Sequence, residues 1–307
     1  MEKSSTKKEK INVNRTVFYV TGVIIPIVHA LVFYFYLQFS GILLAFQNPK
    51  TEAFTMNNFK QVWLSITDPK GELFLAFGNT LKFYGLSLIM LFANFFVAYF
   101  FFKKISGYKA FRIIFYLPAI ISGVAMTTVF MEVIKPMGPL GKLLEMLFGY
   151  KMPKEGLLSM DATALGATMA YSVWVGFTGN VVLFSGSLSR IPTEVLEAAK
   201  IDGCGFWREA CKITIPLVWP MFSTMLVLSV AGFTSASGAI LLLTNGAHKT
   251  TTLNFWMFNQ VYGGGAVGGT GQYGIVSAAS LLISCTLVIP LTLLTKKLTE
   301  KIEAVEY

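Results

Sequence analysis

Charge is scarce in this sequence. Asp, Glu, Lys and Arg make up 13% of its 307 residues, about half the share found in a soluble domain. Six windows hold none of them: Arg15 to Lys50, Lys82 to Lys103, Arg112 to Glu132, Asp161 to Arg190, Lys212 to Lys249 and Lys249 to Lys296. Each has room for the ~20 apolar residues that cross a bilayer, so a mainly water-soluble chain is excluded. Cysteine is scarce too, and the spacing of its three residues fits neither a disulfide scaffold nor a metal site. No G-x-x-x-x-G-K-[ST] phosphate loop occurs, so no such ATPase site is expected. No His/Asp/Glu cluster stands at a helix end, which argues against a membrane enzyme. The apolar windows hold one ionisable side chain in a span, His29, read as a packed or hydrogen-bonded structural residue. The missing midplane charges, and the lack of a repeat or an inverted pair of broken helices, count against a stand-alone secondary transporter.

What is present is apolar: 54% hydrophobic residues and a mean hydropathy of +0.61. The expected fold class is an all-α polytopic membrane protein with six transmembrane helices. The spans are placed at about 17–40, 83–102, 113–131, 165–188, within 213–248, and at 274–295. The run after "MEKSSTKKEKINVNR" is too long for a signal-peptide core and is read as a retained span. Six spans put both termini on one side. With the termini cytoplasmic, sixteen of the 25 basic residues fall on the cytoplasmic side, "KKISGYKAFR" most clearly. The net charge of +9 thus follows from topology, and no nucleic-acid partner is expected. The chain divides into a cytoplasmic tail (1–15), a first span with an outer segment (16–75), a core of five spans (76–298) and a C-terminal tail (299–307). The stretch "YGGGAVGGTGQYG" is expected to be a flexible outer loop.

Between the fourth and fifth spans lies a charged, amphipathic loop, 190–216. Val195, Leu196, Ala198 and Ala199 fall on one arc after Ile191, and Thr193, Glu194, Glu197 and Lys200 on the other. Gly203 is placed to stop that helix. A second short helix sets Phe206, Trp207, Ala210 and Ile213 against Arg208, Glu209 and Lys212, and Pro216 leads into the fifth span. On pattern alone, such a loop could simply rest on lipid headgroups.

A resemblance argues for more. Glu197, Ala198, Ala199, Gly203, Ile213 and Pro216 match E-A-A-x3-G-x9-I-x-L-P, with Ile215 where Leu is usual. This resembles the signature loop of permease subunits of bacterial ABC importers, and "AAKIDG", with Asp202, is its carbohydrate-importer form. "NTLKF" (79–83), "FRIIFYLPAIIS" (111–122), "SLSRIP" (187–192) and "LLLTNG" (241–246) look like the maltose-type sugar permeases, over about residues 70–300. The resemblance implies that the loop is a coupling helix pair seated in a cleft of a cytoplasmic ATPase. It also implies the partners: a second related permease, two ATPase copies carrying ATP and Mg, and an extracellular or lipid-anchored solute-binding protein. The location it implies is the bacterial cytoplasmic membrane, with no cofactor in this chain itself.

Carried over on the "W-x-G" and "L-T-N-G" anchors, the family's substrate path falls on Ser172, Gly176, Gly179, Ser229, Gly232, Phe233 and Ala236. Trp174, Phe177, Asn180 and Ser235 lie beside them. Small residues here are equally the mark of helix packing. Several amide and aromatic positions of the maltose case are Gly, Ala or Ser here, so maltose itself is not the expected solute. A neutral sugar or oligosaccharide is, with a polyol or glycerol phosphate-type solute as the alternative. "QNPKTEAFTMNNFKQVW" and "NGAHKTTTLNFWMFNQ" would face the binding protein. Asn245 and Gly246 keep the family turn, and Ala247 and His248 replace the glycine-proline that usually follows.

Overall fold

The computed structural model describes residues 13–48, 51, 53–177, 179–263 and 272–301. The helices run in order: α1 Val13–Ala30, α2 Leu37–Ala45, α3 Asn57–Thr67, α4 Glu72–Phe102, α5 Tyr108–Ile120, α6 Gly123–Ile134, α7 Pro139–Phe148, α8 Ala164–Gly176, α9 Gly179–Leu188, α10 Thr193–Ile201, α11 Phe206–Glu209, α12 Ile215–Leu217, α13 Trp219–Ala231, α14 Ile240–Leu243, α15 Leu253–Tyr262, α16 Tyr273–Ile283 and α17 Ile289–Glu300. Among the described residues there is no sheet, only an isolated bridge between Gln47 and Phe54. The fold is an all-α polytopic one, as the hydropathy pattern anticipated.

Four helical stretches are long and apolar enough to cross a membrane: Val20–Ala45, Glu72–Phe102, Ala164–Leu188 and Tyr273–Glu300. Two further pairs qualify if each bent pair is one span. Tyr108–Ile120 meets Gly123–Phe148 at 114°, and Phe206–Leu217 meets Trp219–Ala231 at 78°. Counted so, the spans are six. The third and fifth are bent rather than straight, however, and charge-free windows carry no such information. Prolines sit near both bends: Pro118 inside α5, and Pro216 and Pro220 on either side of Val218. A proline inside a helix removes a backbone hydrogen bond and clashes with the preceding turn.

The 31-residue α4 is the mast of the structure. Leu91, Phe95, Ala98, Tyr99 and Phe101 recur at helical spacing and pack in an inner core with Phe184 and Leu188 of α9, Leu217 of α12 and Phe222 of α13. At its other end Leu73 and Ala76 join an outer core with Ala45, Val62, Leu253, Trp256, Ala278 and Ala279. Ala98, Ala278 and Ala279 are fully buried, and small side chains at such positions let backbones approach closely. The first span packs little. Ile25, Phe35 and Tyr36 are each at least 70% exposed, a greasy face suited to lipid or to another helix. His29 is exposed there and stacks on Phe33, 4.7 Å between ring centroids. Residues 1–12 and 302–307 of the tails and 264–271 of the glycine-rich stretch lie outside the described residues.

Candidate functional site

One helix break, in the fifth span, lies against the fourth span. The fourth span runs from Ala164 to Leu188 over α8 and α9. The fifth stops at Ala231 and continues as a short 3-10 turn, Phe233–Ser235, and irregular chain up to α14. Backbone without helix is tolerated at membrane depth only where it is buried in protein or lines a wet cavity. A cavity of about 260 Å³ lies there. Its wall takes Phe83, Leu86, Ser87, Met90 and Asn94 from α4, Ser172 and Gly176 from α8, Asn180 from α9, and Ser235, Ala236 and Ser237 from the irregular segment. None of these side chains is charged.

Ser172, Gly176, Asn180, Ser235 and Ala236, all suggested by the sequence, are brought together in this wall. Other candidates stand elsewhere. Phe233 is buried in the outer core against Tyr84 and Phe77, with centroids 5.2 and 6.0 Å away. Trp174 packs on Phe130 and Tyr171, and Phe177 on Phe115. Gly179, Ser229 and Gly232 are not in this wall. Sequence reasoning missed the contribution of α4. Asn94 is fully buried, and its Nδ2 donates to the carbonyl oxygen of Gly176 at 3.0 Å. An amide inside an otherwise apolar helix, "LFANFF", was the available signal.

The 190–216 loop lies at the far end of α4. Leu196 of α10 is buried in the inner core beside Ile191, and Ala199 is buried on the same side of the helix. Glu197, Ala198, Lys200, Asp202 and Gly203 face outward. Gly203 has φ +72°, a region open to glycine and costly to other residues. The Cys204 amide donates to Ala199 O at 2.9 Å, and the Gly203 amide to Lys200 O at 3.0 Å, a glycine-terminated helix end. Ile201, at the tip, is 86% exposed. Ile213 and Pro216 are half-buried, and Ile213 packs on the inner core. A larger cavity of about 590 Å³ opens beside α10, with Glu197 and Lys200 facing Lys103, Lys104 and Arg112 across it. Glu209 departs from expectation. It is 2% exposed, turned inward rather than set on a polar face with Arg208 and Lys212.

At the opposite end the "TNGAHKTTT" segment is tied down. Asn79 Nδ2 donates to the carbonyls of Lys249 and Thr251 at 2.8 and 2.9 Å, and the Leu253 amide donates to Thr80 Oγ1 at 2.8 Å. Asp161 meets Lys249 Nζ at 3.0 Å and His248 Nδ1 at 3.2 Å. Lys249 first, and His248 second, hold its carboxyl below the usual carboxylate range. That contribution is complete above the ordinary aspartate value of about 3.9 and is lost only as pH falls through the lowered one.

The comparisons agree with this geometry. Residues 91–303 match the model of the family described as "binding-protein-dependent transport system inner membrane component". The multiple sugar-binding transport system permease protein MsmF of Streptococcus mutans is 27% identical over 303 residues, 92% of this chain and 95% of that protein. The diacetylchitobiose uptake permease NgcF of Streptomyces coelicolor is 29% identical, over 63% of this chain and 56% of its own length. The maltose/maltodextrin permease MalF of Escherichia coli is 27% identical, over 59% of this chain and 36% of its own length. A chain of a bacterial ABC transporter involved in import of the acidic polysaccharide alginate has the same fold, with a TM-score of 0.73 at 17% identity over 94% of this chain and 96% of that one. Related coordinates hold that transporter with an alginate pentasaccharide-bound periplasmic protein. With a match covering more than half of its length and a multi-pass helical fold, this chain belongs to the family of binding-protein-dependent transport system inner membrane components, and is a permease subunit rather than an enzyme.

Proposed function

We propose that the chain forms half of the translocation path of an ATP-driven importer for a neutral sugar or oligosaccharide, and couples to its ATPase through the 190–216 loop. The observation that carries the substrate class is the cavity at the break in the fifth span. Its polar groups are hydroxyls and amides, and no lining residue is charged. Such a wall can exchange hydrogen bonds with sugar hydroxyls, whereas an anionic solute in a buried path would call for a paired cation. Glycerol phosphate esters and acidic polysaccharides are disfavoured on the same ground. The similarity to MsmF, NgcF and MalF, permeases of sugar transport systems, supports a sugar.

The coupling assignment is supported by the shape of the loop. Its apolar arc anchors in the inner core, while Glu197, Ala198 and the exposed Ile201 form a tip with no partner in this chain's own core. The partners are a second related permease, two ATPase copies with ATP and Mg, and a solute-binding protein. The chain sits in the bacterial cytoplasmic membrane with both termini cytoplasmic, the orientation that its basic loops favour.

The test begins with gentle solubilisation and mass spectrometry of whatever co-purifies with a tagged chain. An ATPase and a second permease are the expected companions, and a chain that purifies alone would sink the importer reading. The cavity is tested separately. Ser172→Trp places an indole in a space of about 260 Å³, so ATP-driven sugar uptake into proteoliposomes should fall to background while the ATPase still co-purifies. Uptake at the wild-type rate would remove this cavity from the path.

A further inference from the structure

We infer that Glu209 is a positioning residue for coupling. Through Lys103 and Tyr99 it locks the second half of the 190–216 loop to α4, and α4 carries the movement to the outer 244–253 segment. This rests on the importer reading above and adds to it a load path that neither the signature motif nor the comparisons contain.

The first observation is the clamp. Glu209 Oε1 accepts from the Tyr99 hydroxyl at 2.9 Å and from Lys103 Nζ at 2.7 Å, and Oε2 accepts from the same Lys103 Nζ at 2.9 Å. Lys103 lies 106 positions away in sequence, at the cytoplasmic end of α4. Burying such a pair costs much of what the attraction returns, and apolar replacements of similar volume commonly hold a fold as well. What charge-assisted bonds add is a fixed direction and distance. Apolar packing alone would let the short helix slide. The ring of Phe206 lies 5.0 Å from Tyr99 and that of Trp207 5.5 Å from Phe96, so the clamp sits beside an aromatic contact that it orients.

The second observation is what else α4 holds. It is a single helix from Glu72 to Phe102 without proline. Its outer end is fastened to the 249–253 backbone by Asn79 and Thr80. Its middle is fastened by Asn94 to Gly176, at the cavity. The span from Asn79 to Lys103 is about 36 Å at 1.5 Å per residue. Three polar fastenings on one stiff rod therefore join the loop at the cytoplasmic face, the fourth span and the outer turn. An ATPase stroke taken up at α10 reaches α4 through Glu209, and a binding protein engaged on the outer segment acts on the same rod from the other end.

The test uses the whole complex, purified through a tag on this chain and reconstituted with its solute-binding protein. The readout is the ratio of ATPase rates with and without that protein. If the wild-type complex has no ATPase, or its ATPase ignores the binding protein, the importer reading fails and the clamp falls with it. With a responsive wild type, Glu209→Gln, Lys103→Met and Asn79→Ala should each reduce the stimulation by about tenfold, well inside the usual range for coupling between sites. The exchanged pair Lys103→Glu with Glu209→Lys should restore most of it. A purely structural pair would lower yield and melting temperature and leave the ratio in assembled complexes as in wild type. That outcome overturns the proposal, as does an exchanged pair that assembles without restoring stimulation. If the charge variants do not assemble, Tyr99→Phe removes one bond and keeps the packing. A reduced ratio then supports the clamp, and an unchanged ratio overturns it.

Discussion

A chain carrying Gly203→Val should insert, accumulate normally and lose ATP-driven uptake. A Cβ at Gly203 would meet nothing within 4 Å, so space is not the obstacle. Conformation is. At φ +72° an ordinary L-residue costs about 1–2 kcal/mol, and a β-branched one more. The loop escapes that cost by abandoning the turn that the Cys204 and Gly203 amides close onto Ala199 and Lys200. The tip carrying Ile201 and Asp202 then moves relative to α11. A tip that must fit a partner's cleft does not survive such a move, whereas the cores, which Gly203 does not touch, do. Gly203→Asn should keep most activity, because asparagine enters the left-handed region readily. The checks are uptake in proteoliposomes and the amount of co-purified ATPase. Equal activity of the Val and Asn variants would show that the turn does not matter, and would favour a loop that merely rests on lipid.

Gly246→Ala should be the most damaging small substitution in the outer segment. Gly246 also has a left-handed φ, +75°. Here space is closed as well. An added methyl would overlap Cε1 of Phe255 and lie 2.9 and 3.0 Å from its Cδ1 and Cζ. Phe255 is buried in a small cluster with Phe83 and Ile240, so its ring has little freedom to yield. Backbone strain and overpacking together should cost about 2–5 kcal/mol. The check is the melting temperature of the solubilised chain beside Gly22→Ala, a helical glycine with nothing within 4 Å. Gly22→Ala should be neutral or mildly stabilising. Adding Phe255→Leu to Gly246→Ala should recover part of the loss by opening the ring's space. If Gly246→Ala melts with the control, the turn is looser than its contacts indicate.

How much of this was legible beforehand differs from element to element. The charge-free windows overlap every candidate span among the described residues, because a helix in lipid must satisfy its own backbone and shed its charges, but the first arm of the fifth pair, Phe206–Leu217, belongs mostly to the charged loop. The same windows carried no sign that the third and fifth spans bend by 114° and 78°. Hydropathy counts residues, not direction. Pro118, Pro216 and Pro220 marked where a bend could occur, and packing chose the angle. At the cavity, Ser172, Gly176 and Ala236 came from aligned anchors and Asn180 and Ser235 from their neighbours, but Phe233 lies in the outer core instead. In "VAGFTS" the helix gives way to a 3-10 turn after Gly232, and a helical register no longer predicts where Phe233 points. Asn94 was passed over because an amide in an apolar run has no local reason to be there. Its reason is Gly176, 82 positions further along the chain.

The loop at 190–216 divides the two kinds of information most clearly. The sequence alone determined the multi-pass helical character, the family and the helix end at Gly203, and most of the outward arc of α10; Ala198, assigned to the apolar arc, faces outward. Each is a local property, set by composition over some twenty residues or by the φ that a single glycine permits. Tertiary structure decided that Glu209 turns inward, that α4 fastens both ends of the molecule, and that the break in the fifth span meets the fourth span around an uncharged cavity. A 3.6-residue wheel assigns Glu209 to the polar face because a charge is stable in water. It is equally stable inside when Lys103 and Tyr99 are there to meet it, and only the fold brings them within 3 Å.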